Sequence, residues 1–206
     1  MRSPAAALLL GLVLALAAAP VQAEPVIVAL GDSITSGLGV AADEAYPALL
    51  EVRLRRDGYA YRVVNAGVSG DTTAGGLRRV DWVLRARPEI VIVALGANDG
   101  LRGQPPQTTR ANLEAIVMRL QTAGTRVLLA GMRMPPNYGA EFTREFEAVF
   151  PAVARRANVA LIPFLLDGVA ADPTLNQADG LHPNAAGHRV IADRLWPHLR
   201  PLLKKP

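Results

Sequence analysis

Apolar residues along the chain fall into short consecutive runs, which alternate with segments where they recur every three or four positions. Five runs stand out: PVIVAL (25–30), YRVVNAG (61–67), EIVIVALG (89–96), TRVLLAGMRM (125–134) and VALIPF (159–164). Most are apolar at successive positions, the pattern of strands covered on both faces by helices, as in a parallel sheet. Between them, Leu49, Leu50 and Leu54 share one helical face. So do Leu77, Val80 and Leu84, then Leu113, Ile116, Val117 and Leu120, and finally Ile191, Leu195 and Leu199. This alternation predicts one doubly wound α/β domain. Ligands bind such sheets beyond the carboxyl ends of the strands. The residues that immediately follow each run are therefore the candidates for chemistry.

The chain ahead of the first run is of another kind. Arg2, an apolar stretch over 5–19, Pro20 and the small residues Val21 and Ala23 have the layout of a secretory signal peptide cleaved after Ala23. The stretch is short for a membrane span, which needs about 20 apolar residues. The expected organisation is a signal peptide over 1–23 and a single domain over 24–206, found in the periplasm or secreted.

Charge changes the picture little. Loss of Arg2 takes the formal net charge from +4 to +3, and Arg53, Arg55, Arg56, Arg78, Arg79, Arg85 and Arg87 are scattered along expected helices. Such a distribution reads as solvated helix faces and argues against a nucleic-acid partner. It leaves room for weak, transient attraction to an anionic lipid surface. With no cysteine in the chain, disulfides, thiolate chemistry and cysteine-bound zinc are excluded. The three histidines lack metal-ligand spacing, so neither metal nor cofactor is expected.

Four strand exits carry unusual residues. Gly31-Asp32-Ser33 follows the first run, NAGVSGDTT with Gly67 closes the second, and LGANDGLRG with Asn98 closes the third. DGLHPN, with Asp179 and His182, comes past a loop after the fifth. Each alone reads as turn chemistry. Together they supply what acyl transfer requires: a nucleophile (Ser33), a base (His182), a carboxylate to orient the base (Asp179), and oxyanion donors. The donors are the N–H groups of Ser33 and Gly67 and the Asn98 side-chain amide, with glycine at 67 letting its N–H approach a substrate closely. His188 and His198 are expected as surface or partly buried residues of the last helix.

In these blocks the chain resembles the SGNH, or GDSL, hydrolase family, named for Ser, Gly, Asn and His in four sequence blocks. GDSIT holds Ser33, NAGVSGDTT holds Gly67, LGANDGLRG holds Asn98 and DGLHPN holds Asp179 and His182, in the family's order over residues 25–200. GANDGLRG and MRMPPNYG look especially like the bacterial periplasmic arylesterase, acyl-CoA thioesterase and lysophospholipase subgroup. The resemblance implies a flavodoxin-like three-layer sandwich with a five-stranded parallel sheet, no metal, and hydrolysis of carboxylic esters and thioesters through an acyl-enzyme. The expected partner is a small-molecule ester or lipid substrate, and the expected state a monomer.

Two rival readings remain at this point: a carbohydrate acetylesterase, and a non-catalytic binding module on the same fold. An apolar acyl channel would favour neither. Its wall is expected from DGLRGQPP (99–106) and MRMPPNYG (132–139), which offer Leu101, Met134, Pro135 and Tyr138. Met132 and Met134 read equally well as core residues.

Overall fold

The computed structural model describes residues 24–204. The expected signal peptide over 1–23 lies outside the described residues.

Five strands form one wholly parallel sheet: β1 (Val26–Gly31), β2 (Arg62–Gly67), β3 (Ile90–Ala94), β4 (Arg126–Ala130) and β5 (Ala160–Ile162), in the spatial order β2-β1-β3-β4-β5. β1 and β3, the most continuously apolar runs, are buried along their whole length. Edge strand β2 exposes Arg62 and Asn65. The helices α1 (Ser33–Ser36), α2 (Tyr46–Arg56), α3 (Thr73–Arg85), α4 (Ala97–Leu101), α5 (Pro106–Thr122), α6 (Ala140–Ala157) and α7 (Ala185–Leu199) connect and cover them. α3, α5 and α6 pack side by side, and α2 packs on α7, which gives the helix–sheet–helix layering. The apolar stripes meet in the core: Leu50, Leu54, Val80, Leu113, Ile116, Leu120, Ile191, Leu195 and Leu199 are all buried.

Register levels the strand ends. Gly31 pairs with Gly67 on one side and Ala94 on the other, so the first three exits leave the sheet side by side. The chain reverses its direction of travel between β1 and β3, the position where open α/β sheets form a ligand crevice.

Two expectations are corrected, and one alternative is decided. The fourth run is expected from its apolar pattern to stay in the sheet to Met134, but β4 ends at Ala130. Beyond it, Gly131 still bonds the fifth segment, its N–H to Ile162 O at 2.8 Å and its O from Leu165 N–H at 2.9 Å, and then Pro135 and Pro136 have no N–H to extend a ladder. Met132 is core. His188 is fully buried rather than at the surface or partly buried, because α7 presses it against α2, where its Nδ1 accepts the Tyr46 N–H at 3.2 Å.

Candidate active site

The β1–α1 turn sets the nucleophile. Asp32 caps α1, its Oδ1 accepting the Ile34 N–H at 3.0 Å, and Ser33 is the first residue of the helix. The Ser33 N–H therefore has no intrahelical acceptor. Four-residue α1 ends at Gly37, whose φ of 78° is left-handed and natural for glycine.

The loop before α7 brings in the base. Gln177 ties this loop down: its N–H donates to His182 O at 2.8 Å, and its Nε2 donates to Leu38 O at 2.6 Å and to Pro183 O at 3.0 Å. Asn184 then starts α7 by accepting the Ala186 and Gly187 N–H groups at 2.9 and 3.1 Å. Within this frame His182 Nε2 lies 2.9 Å from Ser33 Oγ, and His182 Nδ1 lies 2.6 Å from Asp179 Oδ2. Asp179 Oδ1 accepts the N–H groups of Leu181 and His182 at 2.9 and 3.0 Å. The His182 N–H and ring, with the Leu181 N–H, hold the Asp179 carboxyl down at about 2. A carboxylate can only accept, so Nδ1 carries the proton, and the Nε2 lone pair is left facing the Ser33 hydroxyl.

The three oxyanion candidates are placed differently. Asn98, in the first turn of α4, lines the cleft next to Ser33, and its Nδ2 donates to Asp71 O at 3.0 Å and to Asp32 Oδ2 at 3.3 Å. Gly67 is not part of the cleft lining, and its N–H donates to the Asn65 side-chain oxygen at 2.9 Å. The reason for glycine there also differs from the sequence expectation. A Cβ would sit 2.2 Å from Ser36 N and 2.6 Å from its Cα. Close passage of α1 over the end of β2 excludes a side chain, whatever a substrate does.

From Ser33, Asn98 and His182 a cleft of about 400 Å³ runs between the loops after β3 and β4, walled by Leu101, Met134, Pro135, Phe164 and Leu166. That is within the usual size of small-molecule sites, ~300–1,000 Å³. Met134 is half of an interlocked pair: a Cβ on Gly100 would lie 2.3 Å from its sulfur. Tyr138 does not line the cleft, contrary to expectation. Its hydroxyl donates to Leu101 O at 3.3 Å and its ring stacks on Phe142, so it braces the wall from behind. At the rim Arg133 lies over the Phe164 ring and pairs with Glu147.

Several residues that shape the site were given no role in the sequence reading. Gln177 and Asn65 act through loops distant in sequence, and buried Asp32 read only as a turn residue. Burial drives the Asp32 carboxyl up to about 6, with the Ile34 N–H and nearby His182 pulling the other way. The Asp in GDS and the Asn in NAG could have been flagged as side chains able to bond backbone two residues on. Among the described residues no group of three or more His, Asp or Glu could hold a metal ion.

Residues 29–190 match the GDSL-like lipase/acylhydrolase family. The esterase TesA of Pseudomonas aeruginosa is 43% identical over 178 residues, which cover 86% of this chain and 89% of that protein. The thioesterase 1/protease 1/lysophospholipase L1 of Escherichia coli K12 is 39% identical over 175 residues, covering 84% and 83%. Among solved structures, the crystal structure of TesA superposes with a TM-score of 0.84 at 43% identity, covering 86% of this chain and 99% of that one. The psychrotrophic esterase EstA from a Pseudoalteromonas species, inhibited by monoethylphosphonate, does so with a TM-score of 0.82 at 32% identity, covering 86% and 98%. The chain belongs to the GDSL-like lipase/acylhydrolase family and is an SGNH esterase.

Proposed function

We propose that this esterase cleaves esters and thioesters of apolar acyl chains through an acyl-enzyme on Ser33. One observation carries the reading: the unbroken chain from Asp179 through His182 to Ser33 Oγ, which ends in an apolar cleft. Ser33 Oγ attacks the carbonyl carbon while its proton passes to His182 Nε2, and Asp179 stabilises the imidazolium. The carbonyl oxygen, now negative, takes the Ser33 N–H and the Asn98 amide. The long 3.3 Å bond from Asn98 to Asp32 is the one that yields. The Gly67 N–H joins by exchanging its Asn65 acceptor for the oxyanion. The intermediate collapses, His182 gives its proton to the leaving alkoxide or thiolate, and water, deprotonated by His182, releases the acid from Ser33.

The cleft sets the acyl preference. Each methylene it buries contributes up to about 0.8 kcal/mol, or roughly fourfold in kcat/KM, until the chain leaves the pocket. This supports arylester, thioester and lysophospholipid substrates, in line with the names of the relatives, over acetylated sugars. Residues 1–23 direct export in this reading, which would keep the enzyme away from cytosolic acyl-CoA. The N-terminal mass of exported protein tests that part.

A p-nitrophenyl ester series from acetate to palmitate, each below its micelle concentration, tests the rest alongside fluorophosphonate titration of Ser33→Ala. Rising kcat/KM to an optimum, with no label on the variant, is the expected result. A maximum at acetate indicates a deacetylase. An unlabelled wild-type protein indicates a binding module.

A further inference from the structure

One guanidinium lies behind all the oxyanion candidates. Arg79, on α3, is held between sheet and loop with its side chain only 22% exposed. Its Nε donates to Asp71 Oδ2 at 2.9 Å and its Nη2 approaches the same oxygen at 2.7 Å. Nη1 donates to Ala66 O at 3.0 Å, and Nη2 also donates to Gly31 O at 3.2 Å. These acceptors belong to the first strand exit, the second strand exit, and the loop that carries Asp71.

Each contact leads to a donor. Ala66 C=O and Gly67 N–H are opposite ends of one planar trans peptide, so fixing the oxygen fixes the direction of the N–H. A charge-assisted bond to that oxygen also polarises the amide and strengthens its N–H as a donor. Asp71 is gripped through its carboxylate, while its backbone oxygen accepts from Asn98 Nδ2 at 3.0 Å. Gly31 stands two residues before Ser33, at the root of the turn that presents the third donor. Arg79 does not line the cleft, and the planar guanidinium spreads its donors over three nitrogens, so it spans separated acceptors that the single nitrogen of a lysine ammonium would have to reach from one point.

We propose that Arg79 is the positioning residue of the oxyanion hole. It registers the Gly67 peptide, the Asn98 amide and the Ser33 turn against one another, while its charge is balanced by the Asp71 carboxylate. The inference rests on the oxyanion reading given under Proposed function.

The test compares Arg79→Lys, Arg79→Gln and Asn98→Ala. Folding is checked by circular dichroism, and rates are taken per fluorophosphonate-titrated site. Arg79→Gln should lose about 10–100-fold in kcat, the scale of a small misplacement of catalytic groups, with KM within about twofold. Affinity for a boronic acid that mimics the tetrahedral intermediate should fall in parallel with kcat/KM, because the missing interaction belongs to the transition state. Arg79→Lys should recover part of the loss. It also decides the matter if Arg79→Gln does not fold. A merely structural role would lower the melting temperature and leave kcat per titrated site unchanged, and that result overturns the proposal. So does a loss confined to KM. If Asn98→Ala keeps wild-type kcat, the oxyanion reading itself fails. If Asn98→Ala loses kcat and both Arg79 variants keep it, only the Arg79 inference fails. In the double variant Asn98→Ala/Arg79→Gln, a combined loss smaller than the product of the single losses is expected for a shared hole; a full product overturns it.

Discussion

Two aspartates and two histidines, one of each in the open loop that serves Ser33 and one of each in the interior, are set to opposite tasks by their surroundings. Asp179 and His182 sit in the loop before α7 with side chains 46% and 23% exposed. Asp32 and His188 are each 1% exposed. Asp179 collects three donors, from the Leu181 N–H, the His182 N–H and the His182 ring, and is held down at about 2. Asp32 has the Ile34 N–H and a long contact from a neutral amide, which do not offset its burial, and it rises to about 6. The histidines divide likewise. His182 stands between a carboxylate and a hydroxyl. Burial pushes His188 down to about 4; it accepts a backbone N–H and stacks on the Tyr46 ring. Residue type is therefore a poor guide to role. The number of donors around a carboxylate, and the water it keeps, decide whether it can hold a charged imidazole.

The largest test of this contrast exchanges the two aspartates in turn. Asp179→Asn should lower kcat about 10³–10⁴-fold, since an amide cannot hold the imidazole in the required tautomer. Asp32→Asn should cost less than about 10²-fold, because it keeps an oxygen for the Ile34 N–H and disturbs only the bond to Asn98. Steady-state kinetics of the two variants decide the point, and equal losses would erase the distinction drawn here. Next in size, Asn98→Ala should lose about 10²–10³-fold in kcat with KM little changed. A loss in KM alone would make Asn98 a binding residue. Across pH, wild-type kcat/KM should fall on the acid side as the triad takes up a proton. A profile flat to about pH 4, below the ordinary imidazole range, would contradict a histidine base.

The pattern of apolar runs was enough for the sheet and for the order of the four blocks, because both depend on short-range periodicity and on the few residues at each strand exit. Ser33, Asn98, Asp179 and His182 converge for that reason. The features that stayed hidden depend on partners far apart in the chain. Nothing near Arg79 announces that its guanidinium reaches back 13 residues to Ala66 and 48 to Gly31. The end of β4 could not be read because GMRM continues the apolar pattern while Met134 turns to meet Gly100. The steric demand for glycine at 67 was not legible either, since the clash that excludes a side chain comes from α1, some thirty residues earlier in the chain. Tyr138 has the chemistry of a pocket residue, but its hydroxyl is used on Leu101 O behind the wall.

The smallest effect separates the buried pair by stability. Asp32 titrates at 3.8 when unfolded and about 6 when folded. Above about 6 the folded protein must hold a buried charge, and as pH falls to 3.8 that cost is relieved because the folded state binds the proton first. His188 runs from 6.5 unfolded to about 4 folded. Above 6.5 it carries no cost, and as pH falls to about 4 the unfolded state takes the proton first, so stability is lost. Across the shared window the two contributions oppose each other. The Asp179 contribution lies below it, being lost only as pH falls from 3.8 towards about 2. Asp32→Asn removes the relief, so its melting temperature should drop on acidification relative to wild type. His188→Gln, whose side-chain oxygen can still accept the Tyr46 N–H, should rise relative to wild type. Other groups titrate alike in all three proteins, and differences of a few degrees are within reach of thermal melts. Parallel melting-temperature profiles for the two variants would show that the interior does not hold this aspartate and this histidine in opposed charge states.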